Sequence, residues 1–271
     1  PVCHESPSSC GWASLKAVYF TEHGGPEVLT YGDIREPKVG SSDIKIRVRA
    51  CALNRLDLFT RAGLRGTRLE LASPHILGGD IAGDIVEVGS QVSSLKEGDR
   101  VVVNPRLVCG LCDPCIRGET ELCDRPGMIG STANGGYAEY ASVPALNAIK
   151  IPDSLSYPEA ASLPTVFLPC WSIFMRRGML KPSETALIVS ASSGVGTAAI
   201  QVAKNVIGAG VIATTSSPDK VERAKQLGAD HVINYKTENV RERVKELTDK
   251  RGANVVLDHV GTDAWAYAMP S

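Results

Sequence analysis

The sequence predicts an α/β chain, with a β-rich first half followed by a doubly wound parallel sheet. Three observations carry this expectation. Period-2 runs separated by Gly-rich turns extend to about Ile151, strand and helix patterns alternate from Thr185 onward, and a Gly-rich turn joins an apolar strand to an apolar helix in the second half. The 271 residues are enough for two domains of ordinary size.

Residues 1–14, rich in Ser and Pro without periodicity, read as a tail. Lys16 begins the first strand. In Asp43 to Ala50, Ile44, Ile46 and Val48 alternate with Lys45, Arg47 and Arg49, the pattern of a half-buried strand. Ile81 to Val88 and Asp99 to Val103 are further strands, and Gly78-Gly79, Gly98 and Gly135-Gly136 mark turns. Ser156 and Glu159 form a capping-box pattern that starts a helix, which Pro164 and Pro169 should break or kink. Thr185 to Ser190 is short, apolar and β-branched, suited to a strand buried on both faces. A helix from Thr197 to Ile207 and a strand from Gly210 to Thr214 follow. Ser217 then caps a helix with Pro218 at its first position. A strand at His231 to Asn234, a helix capped by Thr237 and a strand at Ala253 to Leu257 complete the series.

At 43% hydrophobic and 22% charged residues the chain is able to bury substantial cores. Its formal charge of −1, with no block of Lys or Arg, gives no support for a nucleic-acid partner. No apolar run approaches the roughly 18 residues of a membrane span. The first 14 residues lack the charged head and apolar stretch of a signal peptide, so a cytoplasmic protein is expected.

Four of the eight cysteines crowd into Cys109-x2-Cys112-x2-Cys115-x7-Cys123. Four thiolates close a tetrahedral shell around zinc and leave no position for water or substrate, so one structural zinc is expected. Cysteines at two-residue intervals also hold iron–sulfur clusters, which with disulfides and free thiols are the alternatives. Between the buried strand and its helix, Ser192, Ser193, Gly194, Val195 and Gly196, with Ala199, fit G-x-G-x-x-G/A. In that fingerprint Gly194 permits a tight turn, Gly196 lets backbone approach a pyrophosphate, and the helix N-terminus attracts it. The second strand ends in Thr214, Thr215, Ser216 and Ser217, with Lys220 nearby, where an acid would bind the ribose 2′-hydroxyl of NAD. Hydroxyls and a lysine suit a 2′-phosphate, so NADP(H) is favoured over NAD(H).

With both motifs in place, the chain resembles the medium-chain dehydrogenase/reductase superfamily, the zinc-type alcohol dehydrogenases and their quinone oxidoreductase relatives. Further markers are His23-Gly-Gly-Pro-Glu-Val-Leu29, Asn54 to Gly63, Gly78 to Gly89, Gly98-Asp-Arg-Val101, Gly135-Gly-Tyr-Ala-Glu-Tyr140 and Leu227-Gly-Ala-Asp230. The resemblance implies a GroES-like domain over 15–151 with a zinc lobe at 105–126, and a Rossmann domain over 152–271. It also implies a small-molecule substrate, and homo-oligomers among full-length relatives. The family's catalytic zinc ligands fall on Asn54, on Gly79 of the pair Gly79-Asp80, and near Thr165, none of them a good zinc donor. Cys51, His75 and Cys170, close by in sequence, read as packing residues.

That pattern favours the quinone oxidoreductase branch, in which the cofactor supplies hydride and the protein orients and stabilises charge. Asn54 and Thr165 are the candidates to hydrogen-bond the substrate or nicotinamide ribose, although Asn54 also suits a turn. Asp57 suits a local bond. His259, at the end of the fourth strand, is a cofactor-side candidate. The pattern ends after the fourth of six Rossmann strands, so an incomplete Rossmann domain in a truncated product is expected. The leading expectation is an NADPH-dependent quinone or enone reductase. The alternatives are a zinc-type alcohol dehydrogenase and a non-catalytic NADPH-binding fragment.

Overall fold

The computed structural model describes residues 14–64, 66, 68–70 and 74–269, and it divides into two compact units, Pro1–Thr165 and Val166–Ser271. The tail expected at 1–14 lies outside the described residues except for Ser14.

The first unit contains β1 (Ser14–Phe20), β2 (Thr30–Arg35), β3 (Asp43–Ala52), α1 (Arg55–Ala62), β4 (His75–Ile76), β5 (Asp80–Val88) and β6 (Arg100–Val103). β7 (Arg106–Leu107), α2 (Asp113–Ile116), β8 (Gly127–Met128), β9 (Tyr140–Pro144), β10 (Ala148–Lys150) and α3 (Tyr157–Ala161) follow. The main sheet has the order β10-β6-β5-β3-β9 and is antiparallel throughout. The alternation in β3 works as read: Ile44 and Ile46 are fully buried and pair across to Val88 and Ile85. With Ile81, Val101, Val103 and Val143 they form the core of this unit.

The sequence ends the first domain at 151, yet α3 packs Ala160 and Ala161 against Ala82, Val102 and Ile151 of the same unit. Ser156 caps α3, and the Glu159 carboxylate accepts from the Ser156 N–H at 2.9 Å, which completes the capping box. Ser156→Ala should therefore cost about 1 kcal/mol, read as a lower urea midpoint at unchanged slope.

α4 (Pro164–Trp171) opens with the last two residues of the first unit. Pro169 does not break it. The run continues and shifts to π pitch over Ser172–Arg177, just past the N–H that proline lacks. The second unit then holds β11 (Thr185–Ile188), α5 (Gly194–Gln201), β12 (Gly210–Thr215), α6 (Pro218–Gln226), β13 (His231–Asn234), α7 (Val240–Leu247), β14 (Val255–Leu257) and α8 (Thr262–Ala268). Its sheet is parallel with order β13-β12-β11-β14, that is 3-2-1-4, the order of a Rossmann domain through its fourth strand. β11 and β12 are buried on both faces, Leu187 and Ile212 meeting Val240 and Val244 of α7.

Three expectations shift here. The helix read as Thr197 to Ile207 starts at Gly194 and takes π pitch over Val202–Ile207. α7 is capped by Asn239, whose side chain accepts from the Glu242 N–H, while the Thr237 hydroxyl donates to the Asn234 carbonyl. The fourth strand is shorter than read, Val255–Leu257. Among the described residues no helix is long and apolar enough to cross a membrane.

Candidate active site and metal centre

In the lobe, β7 and β8 form a two-stranded stem, and the chain between them carries all four clustered cysteines. Cys112 is the N-cap of α2, Cys115 lies within α2, and Cys123 follows a short 3-10 turn at Thr120–Leu122. The four Sγ atoms lie within 4.8 Å of one another. A tetrahedral zinc with bonds near 2.3 Å needs sulfurs about 3.8 Å apart, and Cys109 and Cys123 stand at 3.6 Å. The Cys123 sulfur also accepts from the N–H groups of Cys109 and Arg125, at 3.3 and 3.4 Å. Backbone N–H groups of Leu111 and Cys112 hold the Cys109 thiol down to about 6. Clustered sulfurs with amides aimed at them fit a thiolate-bound metal. The lobe has little core of its own, since Leu111, Ile116 and Leu122 are all exposed.

The Gly-rich turn follows β11. Ser190 takes the left-handed conformation there, with φ 60°. Its N–H donates to the Thr214 hydroxyl, and the Ala191 N–H donates to the Thr214 carbonyl. Gly194, read as the residue that permits the tight turn, does not have positive φ; Ser190 carries that strain instead. Gly196 meets a steric demand: a Cβ there would lie 2.2 Å from the Ser190 carbonyl oxygen.

Ser193 caps α5 and organises the turn. Its hydroxyl donates to the Ser190 carbonyl at 2.8 Å, accepts from the Gly196 N–H at 2.9 Å, and meets His259 Nε2 at 2.8 Å. The single hydroxyl proton is already committed, so His259 must donate through an Nε2–H. Burial holds the His259 ring below its usual range, against the opposing pull of Asp258, which keeps the ring neutral at physiological pH. His259 thus braces the turn from the end of β14.

At the end of β12, Thr215 is buried and its Oγ1 finds no hydrogen-bond partner among the described residues. Ser192 and Lys220 are exposed, and Val195 and Ser216 are half-buried. Ser217 is the N-cap of α6 without a side-chain cap bond. Asp219, which no sequence motif marks, adds a carboxylate to the first turn of α6. An orphaned buried hydroxyl beside a Gly-rich turn fits a dinucleotide.

Asn54 and Thr165, 111 positions apart by number, meet on one carboxylate. Asp80, 1% exposed, accepts from Asn54 Nδ2 at 2.9 Å through Oδ2. Its Oδ1 accepts from the Thr165 hydroxyl at 2.8 Å and from the Thr165 N–H at 3.1 Å. Burial raises the Asp80 carboxyl, while the bonds from Asn54 and Thr165 pull it back. Asp57 is also buried. It takes the local bond from the Asn54 N–H at 2.7 Å, and two more from the Gly78 N–H and the Tyr137 hydroxyl, at 3.1 and 2.9 Å.

Position 79 cannot take a side chain without backbone movement, because a Cβ there would stand 2.8 Å from the Ile129 carbonyl oxygen. The Cys51 thiol is raised by burial and lies where a Cβ on Gly78 would meet it. His75 packs edge-on to Phe20. Cys170 is fully buried, its Sγ 3.1 Å from the Val166 carbonyl oxygen and 3.4 Å from that of Val195, either of which can take the single S–H. Among the described residues, the four lobe cysteines are the sole group of three or more metal-capable side chains.

Two family descriptions match the sequence: "Alcohol dehydrogenase GroES-like domain" over residues 40–153 and "Zinc-binding dehydrogenase" over 194–270. A "NAD-dependent alcohol dehydrogenase" of Sulfurisphaera tokodaii is 36% identical over 249 residues, 90% of this chain and 71% of that protein. The chain belongs to the medium-chain dehydrogenase/reductase superfamily. A "Quinone oxidoreductase" of Pseudomonas aeruginosa is 33% identical over 94% of this chain and 69% of its own length. A crystal structure of an NAD-dependent alcohol dehydrogenase superposes with a TM-score of 0.89 at 41% identity, covering 94% of this chain and 74% of that one. As a member of this superfamily the chain is a zinc-binding oxidoreductase that uses a nicotinamide cofactor, with a GroES-like first unit and a Rossmann-type second unit.

Proposed function

We propose that the chain reduces quinones or enones with NADPH and carries one structural zinc, held by Cys109, Cys112, Cys115 and Cys123. The observation that carries this reading is the donor set at the family's catalytic metal positions. Gly79 offers no donor and no room for one, while Asn54 and Thr165 are engaged with Asp80. A neutral amide, a hydroxyl and a glycine bind zinc poorly. When bound, the dinucleotide supplies hydride to the electron-poor carbon of the substrate, and solvent supplies the accompanying proton.

The chain's own residues bind and orient. The backbone of Ser192 to Gly196 and the first turn of α5 receive the pyrophosphate, with Ser193 held by His259. Thr215, Ser216 and Lys220 receive the 2′-phosphate. Asn54 and Thr165 hydrogen-bond the substrate or the nicotinamide ribose.

A second reading, an alcohol dehydrogenase using NAD(H), draws on Asp219, whose carboxylate suits a ribose diol better than a phosphate. Native mass spectrometry of chelator-free protein, with turnover assays of quinones, enones and alcohols against NADPH and NAD, separates the two. One zinc per chain and NADPH-linked quinone or enone reduction are expected. Two zincs with NAD-linked alcohol oxidation would overturn the proposal.

A further inference from the structure

The network that joins the two candidate substrate-contacting residues runs through one buried carboxyl group. Asp80 has two oxygens and three donors. Thr165 gives its N–H and its only hydroxyl proton to Oδ1, and Asn54 gives an amide hydrogen to Oδ2. Asp80 as a carboxylate takes all three groups as donors, and only the NH2 end of Asn54 is then able to face it. Tyr137 likewise spends its hydroxyl proton on Asp57.

We infer that Asp80 is a positioning residue that sets the polarity of this site. Thr165 meets a ligand as a hydrogen-bond acceptor, Asn54 offers one remaining N–H, and neutral carbonyl compounds are selected over anionic ones. The inference rests on the reading that Asn54 and Thr165 contact the substrate. A neutral carbonyl oxygen takes the Asn54 N–H, and a ligand hydroxyl donates to Thr165 Oγ1. A substrate carboxylate or phosphate here would meet two buried carboxylates, Asp57 and Asp80, with little water to screen them. The same arrangement makes Asn54 single-valued: a flipped amide would set its carbonyl oxygen against the Asp80 carboxylate.

Neutron diffraction from the full chain in D2O at neutral pH tests the polarity directly. Deuterium on Thr165 Oγ1 should point at Asp80, Asp80 should carry none, and the Asn54 ND2 group should face it. A deuteron on Asp80 with the Asn54 oxygen turned toward it would overturn the inference. This map needs no turnover, so a protein that reduces neither quinones nor enones sinks the proposed function alone.

Given turnover, Asp80→Asn should narrow the kcat/KM preference for a neutral enone over its carboxylate-bearing analogue by about tenfold, as removal of one nearby charge predicts. That ratio does not depend on the fraction of active enzyme, so a merely structural role would leave it unchanged and refute the assignment. Should Asp80→Asn fail to fold, the neutron map decides.

Discussion

Gly196→Ala should weaken binding of the reduced nicotinamide dinucleotide at least about 100-fold, some 2.7 kcal/mol, in a fluorescence titration. The added Cβ meets the Ser190 carbonyl oxygen at 2.2 Å and the Ala191 Cα at 2.9 Å. Both are backbone atoms, so no side-chain rotation relieves the contact. Ser190 already holds a left-handed conformation, and its carbonyl accepts from the Ser193 hydroxyl. Pushing that carbonyl away disturbs Ser193, and with it the Gly196 N–H and the bond to His259. Overpacking of this kind also costs about 1–3 kcal/mol of stability, visible in urea.

Gly194→Ala is the control. Gly194 is exposed, and the nearest atom to an added Cβ is Val166 Cγ1 at 3.1 Å. That variant should keep the parent's stability and bind the reduced dinucleotide within about tenfold of it, since only a side chain has to give. Equal losses at the two positions, or wild-type affinity in Gly196→Ala, would refute this account of the turn.

The parts of the molecule legible in the sequence are those written in local spacing. The cysteine intervals place four sulfurs together because a short loop leaves them little choice. The alternation of β3 and the strand–helix series after Thr185 report burial directly. Asp80 is different. Its partners lie 26 and 85 positions away, and no periodicity connects residues 54, 80 and 165. The available signal was a carboxylate next to a glycine, at the start of a strand that continues into the apolar Ile81 and Ala82. The crowding at Gly79 was equally silent, since it comes from the Ile129 carbonyl on a distant turn. Capping at Asn239 instead of Thr237 is a close competition between two capping side chains two residues apart, which propensity does not resolve.

Cys112→Ser should remove the zinc altogether and open the lobe, leaving the first unit's sheet folded. Structural zinc binding is worth on the order of 10 kcal/mol in small domains, and the lobe has nothing comparable to replace it. Its larger apolar side chains, Leu111, Ile116 and Leu122, face solvent. Its principal helix, α2, has four residues, too few to persist unaided.

The stem is better held. Asn147 Nδ2 donates to the carbonyls of Asn104 and Arg106 at 2.7 and 2.8 Å, and β7 pairs with β8. Limited proteolysis should therefore cut between residues 109 and 123 in the variant and spare the stem. The far-ultraviolet signal of the sheets should change little. Retention of one zinc per chain, or a lobe as resistant as the parent's, would refute the four-thiolate assignment; visible absorption from the purified parent would replace zinc with an iron–sulfur cluster. The dinucleotide turn draws its bonds from Ser190, Ser193, Thr214 and His259, all within the second unit. Cys112→Ser should accordingly keep dinucleotide affinity while losing zinc, and Gly196→Ala should keep zinc while losing the dinucleotide.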